Sequence, residues 1–132
     1  ENAGPRTDFA LPGSGLTKPF AERLGIRVLD AAAGSVEIAL TDYVLNSLSA
    51  LQGGAAATLI DVASVAHGRA LLGADVTTTD LEIRYLALGK LSPFRAQARV
   101  LRRDEHGATL RVEVRESGPD ARLCYVATTR VA

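Results

Sequence analysis

The alternation of hydrophobic and polar positions changes period along this chain, and each change predicts an element. Residues 1–16 show no period, with two prolines and three glycines, and read as a mobile leader ahead of one domain spanning 17–132. Thr17 to Leu24 suits a short helix, with Thr17 as N-cap, Pro19 in the first turn and Gly25 at the exit. Two strands are expected next, over 26–31 and 35–41, around a turn at Gly34. In the second, Val36, Ile38 and Leu40 alternate with Ser35, Glu37 and Ala39. The period lapses over 42–52. From Gly54 to about Leu72 the chain is apolar almost all round, which predicts a long helix wrapped by other structure and ended by Gly73. Four alternating segments follow, over 76–88, 94–103, 109–116 and 122–131, joined by turn chemistry in GKLSP, DEHG and SGPD.

Strand, strand, buried helix and four antiparallel strands define an α+β class, with a curved sheet wrapped around one helix. Such a sheet covers the helix on one side only, so the remaining apolar surface and the sheet edges call for a second copy, a homodimer.

Composition narrows the function classes. The 132 residues suffice for one unstapled core, and 47% hydrophobic with 23% charged residues is the balance of a soluble globular domain. Fifteen basic residues cancel fifteen acidic ones, which argues against nucleic acid or an anionic membrane as partner. The apolar runs stop short of the ~20 residues of a membrane span, and a cytoplasmic protein is expected. A lone cysteine, Cys124, excludes an internal disulfide and a cysteine-rich metal site; in its apolar strand it reads as a buried, inert thiol. His67 and His106 lack ligand or nucleophile–base spacing and read as helix-surface and turn residues. The many alanines of the helix suggest room for a bulky or long tail.

Asp61 lies among Leu59, Ile60, Val62 and Ala63, where a carboxylate is costly to bury unless paired, hydrated or neutralised. Either it is structural, bonded to backbone or to Ser64, or it is a working acid reached by water. Thr58, Asp61, Ser64 and Gly68 recur at intervals of three and four, which places them in one stripe along the helix. Gly53-Gly54 begins the helix, either as a tight turn or as a source of unobstructed N–H groups at the positive end of the dipole, able to stabilise an oxyanion. Eight residues separate Gly53 from Asp61, about 12 Å along the axis, too far for one thioester to touch both within one helix. A site shared between two subunits follows as a hypothesis.

The stretch from Asn46 through Gln52-Gly53-Gly54 to Asp61 resembles the signature of hotdog thioesterases of the phenylacetate-degradation (PaaI) and 4-hydroxybenzoyl-CoA type. Val76-Thr-Thr-Thr-Asp80-Leu-Glu-Ile-Arg-Tyr85-Leu86 is similar to that family's VTxDLxxxYL strand. The resemblance implies a hotdog fold and hydrolysis of an acyl-CoA thioester without a metal or a cofactor other than the CoA of the substrate. It implies Asp61 as nucleophile or general base, the Gly53 N–H as oxyanion donor and Asn46 as a positioning residue. Thr78 matches a water-assisting serine, although simple strand parity puts Thr77 and Thr79 with Leu81 and Ile83. Gln52 replaces the family's histidine, keeping hydrogen bonding without titration. Gly54 and Ser64 join the expected substrate contacts, and Lys90, Arg102 and Arg103 are placed to meet CoA phosphates. Homodimers with shared sites, paired as a dimer of dimers, are the expected assembly. A non-catalytic acyl-CoA binder using the same groove is the rival reading; a hotdog dehydratase fits poorly, lacking the His–acid pair.

Overall fold

The computed structural model describes residues 18–132, so the expected leader and the Thr17 cap lie outside the described residues. The first helix is shorter than expected: α1 spans Phe20–Arg23, preceded by Pro19 in extended conformation. Strands β1 (Arg27–Asp30) and β2 (Ser35–Ile38) follow, then a 3-10 turn over Asp42–Val44 and the long helix α2, Gly53–Leu72. The remaining strands are β3 (Thr78–Tyr85), β4 (Phe94–Arg103), β5 (Ala108–Arg115) and β6 (Leu123–Val131). They form one antiparallel sheet of six strands in the order β1-β2-β4-β5-β6-β3. This is the hotdog arrangement, with α2 lying along the concave side of the sheet.

Period-2 alternation builds the sheet's inner face. Val36 stands beside Ala96, then Val114, then Tyr125; Ala98 stands beside Val112, then Ala127; and Ile38 stands beside Phe94, each pair in register. Against this face α2 sets Ala55, Ala56, Leu59, Ile60 and Ala63, all buried. Fully burying Leu59 or Ile60 contributes about 1.5–3 kcal/mol each. The inner alanines therefore bring helix and sheet close together. By length and composition α2 could cross a membrane, which the broken apolar runs of the sequence do not suggest. Its inner face is instead taken up by the sheet.

Gly73 ends the helix in the left-handed region at φ 67°, its N–H donating to the Arg69 carbonyl at 2.9 Å. At Gly68 α2 comes close against its surroundings: a methyl carbon there would lie 2.8 Å from Val131 Cγ2 and 3.1 Å from Val76 Cγ2. The outer sheet face is charged. Glu37 is flanked by Arg27 and Arg95, and Glu113 by Arg111 and Arg115. Hydrogen bonds from these guanidinium groups hold both carboxyls below the usual glutamate range, against the opposing effect of burial.

Candidate active site

The loop before α2 is tied to its surroundings residue by residue. Leu51 N–H donates to the Gly89 carbonyl at 2.8 Å, and Gln52 N–H to the Val44 carbonyl at 2.8 Å. Gln52 is the N-cap: its backbone is extended, and its side-chain Oε1 accepts from Ala55 N–H at 3.0 Å. The helix thus starts at Gly53, one residue earlier than its apolar pattern indicates. Ala56 N–H makes the first intrahelical bond, to the Gln52 carbonyl, so of the four N–H groups without an intrahelical partner two are satisfied, Gln52 by Val44 and Ala55 by the Gln52 side chain. The N–H groups of Gly53 and Gly54 donate to no described group. Two unshielded donors at the positive end of a 20-residue helix can stabilise a developing oxyanion.

Asn46 shapes the loop leading to this point. Its Oδ1 accepts from Leu48 N–H at 2.8 Å and Ala50 N–H at 3.1 Å, and its own N–H donates to the Ala50 carbonyl. Only its side-chain NH₂ donates to no described group.

Asp61 is half-buried and opens into a shallow cleft of about 270 Å³ with Val28, Val62, Val65, Ala66 and Arg69. No described group donates to its carboxylate. The structural alternative, an aspartate bonded to Ser64 or backbone, is therefore not what forms among the described residues. Ser64 is fully buried; its hydroxyl donates to the Ile60 carbonyl at 2.9 Å and shares a 2.8 Å bond with Thr129. That corrects its assignment as a substrate contact, since both of its bonds are used inside the core. The expected stripe accordingly splits. Ser64 and Gly68 turn to the sheet, Asp61 turns away from it, and the Thr58 hydroxyl donates back to the Gly54 carbonyl.

Thr78 is moved to the inner face by a feature that simple alternation misses. The register slips between Thr78 and Asp80, so Thr78 pairs with Val131 while Leu81 pairs with Thr129. Thr78 thus shares the side of Leu81 and Ile83, and its hydroxyl is enclosed with no described partner.

The three expected cations fall at opposite ends of α2, Lys90 at its start and Arg102 and Arg103 at its end. Lys90 follows the Gly89 that anchors Leu51, and its N–H donates to Glu116. Arg102 lies beside Arg103, whose guanidinium donates to the Leu71 carbonyl in the last turn of the helix. Within one protomer Lys90 cannot serve the same phosphate as the two arginines. His67 is half-buried, not a surface residue: its ring lies against Gly34 and its Nδ1 is enclosed. His106 is exposed beside Glu105. Cys124 is buried, and that burial pushes its thiol pKa up, consistent with an inert role. A larger cavity, about 520 Å³, lies among Arg95, Gln97, Glu113 and Arg115 on the outer sheet face, away from Gly53 and Asp61.

One site residue has no independent signal in the sequence. Tyr85, on β3, donates its hydroxyl to the Gly53 carbonyl at 3.0 Å, across 32 positions of chain. In sequence it stands out only as part of the YL strand motif.

A hotdog sheet, a glycine pair opening the central helix and an open carboxylate two turns on stand together in this chain. The chain matches the thioesterase superfamily profile over residues 49–121, more than half its length, and belongs to that superfamily. No curated protein matches it. Among solved structures it is similar to a phenylacetic acid degradation-related protein and candidate thioesterase from Ralstonia eutropha JMP134. That likeness is at 29% identity and TM-score 0.68, covering 87% of this chain and 92% of that one. The BH2602 protein from Bacillus halodurans, solved with CoA, shares 23% identity at TM-score 0.72, covering 84% and 72%. A thioesterase from Haemophilus influenzae shares 19% at TM-score 0.73, covering 85% and 81%. The last two are likenesses of fold.

Proposed function

We propose that this protein hydrolyses an acyl-CoA thioester to the free acid and CoA, at sites shared between the two subunits of a homodimer. The observation that carries this reading is the pairing of unsatisfied groups on α2: the N–H groups of Gly53 and Gly54 at its start, and the open Asp61 carboxylate two turns later. Their ~12 Å separation along one helix suits contributions from two helices running in opposite directions. Superfamily membership supports thioester chemistry, and the CoA held by the Bacillus halodurans structure supports CoA as the carrier. The free edge of β3 and the outward Val62 and Val65 of α2 offer the surface a second copy would cover.

In this reading the thioester carbonyl oxygen points at the Gly53 N–H. Asp61 from the other subunit takes a proton from water as its oxygen attacks the carbonyl carbon. The tetrahedral oxyanion collapses by breaking the C–S bond, and the departing thiolate recovers the proton from Asp61. In the alternative order Asp61 attacks the carbon itself, the C–S bond breaks to release CoA as the thiolate, and water then opens the mixed anhydride at the Asp61 carboxyl carbon, its proton passing to the thiolate. Single turnover in ¹⁸O-water distinguishes the two: label enters the acid directly in the first route, and the Asp61 carboxyl in the second.

The direct test is hydrolysis of an acyl-CoA panel, followed with a thiol reagent. Asp61→Asn is expected to lower kcat by about 10²–10⁴-fold. Rates for wild type and Asp61→Asn that both stay at the uncatalysed background would overturn hydrolysis and leave the binding reading standing.

A further inference from the structure

Tyr85 ends β3 on the sheet's inner side, paired in register with Tyr125. The two rings meet edge to face, 5.5 Å between centroids and 75° between planes, and Tyr125 is buried. The Tyr85 ring is thereby steadied, and its hydroxyl reaches the Gly53 carbonyl at 3.0 Å. That carbonyl belongs to the same peptide unit as the Gly54 N–H. A peptide is planar, with C=O and N–H pointing in opposite directions, so holding the oxygen aims the hydrogen. A donor on the oxygen also draws electron density toward it and strengthens the N–H as a donor. Leu51 and Gln52 are anchored through their own backbone, but Tyr85 is the one described side chain that reaches the 53–54 peptide.

We propose that Tyr85 is a positioning residue that aims and polarises the Gly54 N–H as a second oxyanion donor beside that of Gly53. This rests on the hydrolysis reading above and deepens it: the helix start becomes a two-donor site, one donor tuned from β3. Because β3 is one of the two edge strands, the same residue links that donor to the surface where a second subunit would dock.

Tyr85→Phe keeps the ring and its contact with Tyr125 and removes only the hydroxyl. Negative charge builds on the substrate oxygen chiefly in the transition state, so the loss falls on kcat. About a fivefold to tenfold drop in kcat is expected, with KM within about twofold. In ¹H–¹⁵N spectra of the variant the Gly54 amide proton moves upfield while the Gly73 amide stays in place. That readout needs a folded protein but no turnover. Wild-type kcat, a loss confined to KM, or an unmoved Gly54 amide would each overturn the role. Wild-type turnover no faster than the uncatalysed background overturns the hydrolysis reading itself. Turnover lost in Asp61→Asn but kept in Tyr85→Phe overturns the part assigned to Tyr85 alone.

Discussion

Gln52 takes the position where similar thioesterases carry a histidine, and its geometry gives it structural work. Its Oε1 accepts from Ala55 N–H at 3.0 Å while its backbone carbonyl accepts from Ala56. Its side chain therefore satisfies one of the four donors that lack an intrahelical partner, its own N–H is taken by Val44, and the pair left over is Gly53 and Gly54. Glutamine is not a common N-cap; serine, threonine, aspartate and asparagine are preferred because their shorter side chains reach the first turn with less entropy loss. Here the longer side chain folds back past Gly54, where a methyl carbon would lie 3.0 Å from Oε1. Gln52→Ala is expected to lower stability by about 1 kcal/mol in urea unfolding, by exposing a third unsatisfied donor. An unchanged midpoint would mean that water replaces the cap at no cost.

At the scale of elements, α2 and the inner sheet face fit each other through small residues. Gly68→Ala gains helix propensity worth about 1 kcal/mol, yet the added carbon meets Val131 and Val76 at 2.8 and 3.1 Å. Val131 is fully buried and cannot swing into solvent. A net loss of about 1–3 kcal/mol is expected from overpacking. Adding Val131→Ala should recover part of it, a coupling that a double-mutant cycle in denaturant would measure. Equal stability of Gly68→Ala and wild type would show that the helix can shift outward freely.

The elements themselves are legible in the sequence because period survives without tertiary information: β4 runs over the 94–103 that alternation predicts, and α2 ends at its glycine. Asp61 and the Gly53-Gly54 pair stand out for a related reason, each breaking an apolar context. What alternation cannot supply is contact between distant residues. The slip between Thr78 and Asp80 reverses strand parity, and nothing in the Thr-Thr-Thr run marks where it falls. Ser64 looks like a site residue until Thr129, 65 positions away, takes its hydroxyl. Tyr85 looks like an ordinary strand aromatic until Gly53 is found beneath it.

For the whole molecule the sharpest question is whether one active site draws on two chains. Gly53→Pro removes the proposed donor with little disturbance. Gly53 is the first helical residue, where proline's fixed φ is suited, and Gln52 already holds φ −64° and ψ 137°, an extended geometry that tolerates a following proline. A side-chain carbon at Gly53 meets the Tyr85 ring no closer than 3.5 Å, an ordinary contact. Removing one oxyanion donor is expected to cost about 10²–10³ in kcat, and Asp61→Asn removes the base. Each variant alone is therefore impaired at both sites of its dimer. If the two are unfolded, mixed in equal amounts and refolded, half of the dimers carry one chain of each kind. With shared sites, every mixed dimer joins the intact Gly53 of one chain to the intact Asp61 of the other at one of its two sites, and about a quarter of wild-type activity returns. If each site belongs to a single chain, every site in the mixture still lacks one group and no activity returns. Light scattering of the refolded sample confirms the dimer on which the comparison rests. A recovery near zero from well-folded dimers would move both groups back onto one subunit, against the ~12 Å that separates them along α2.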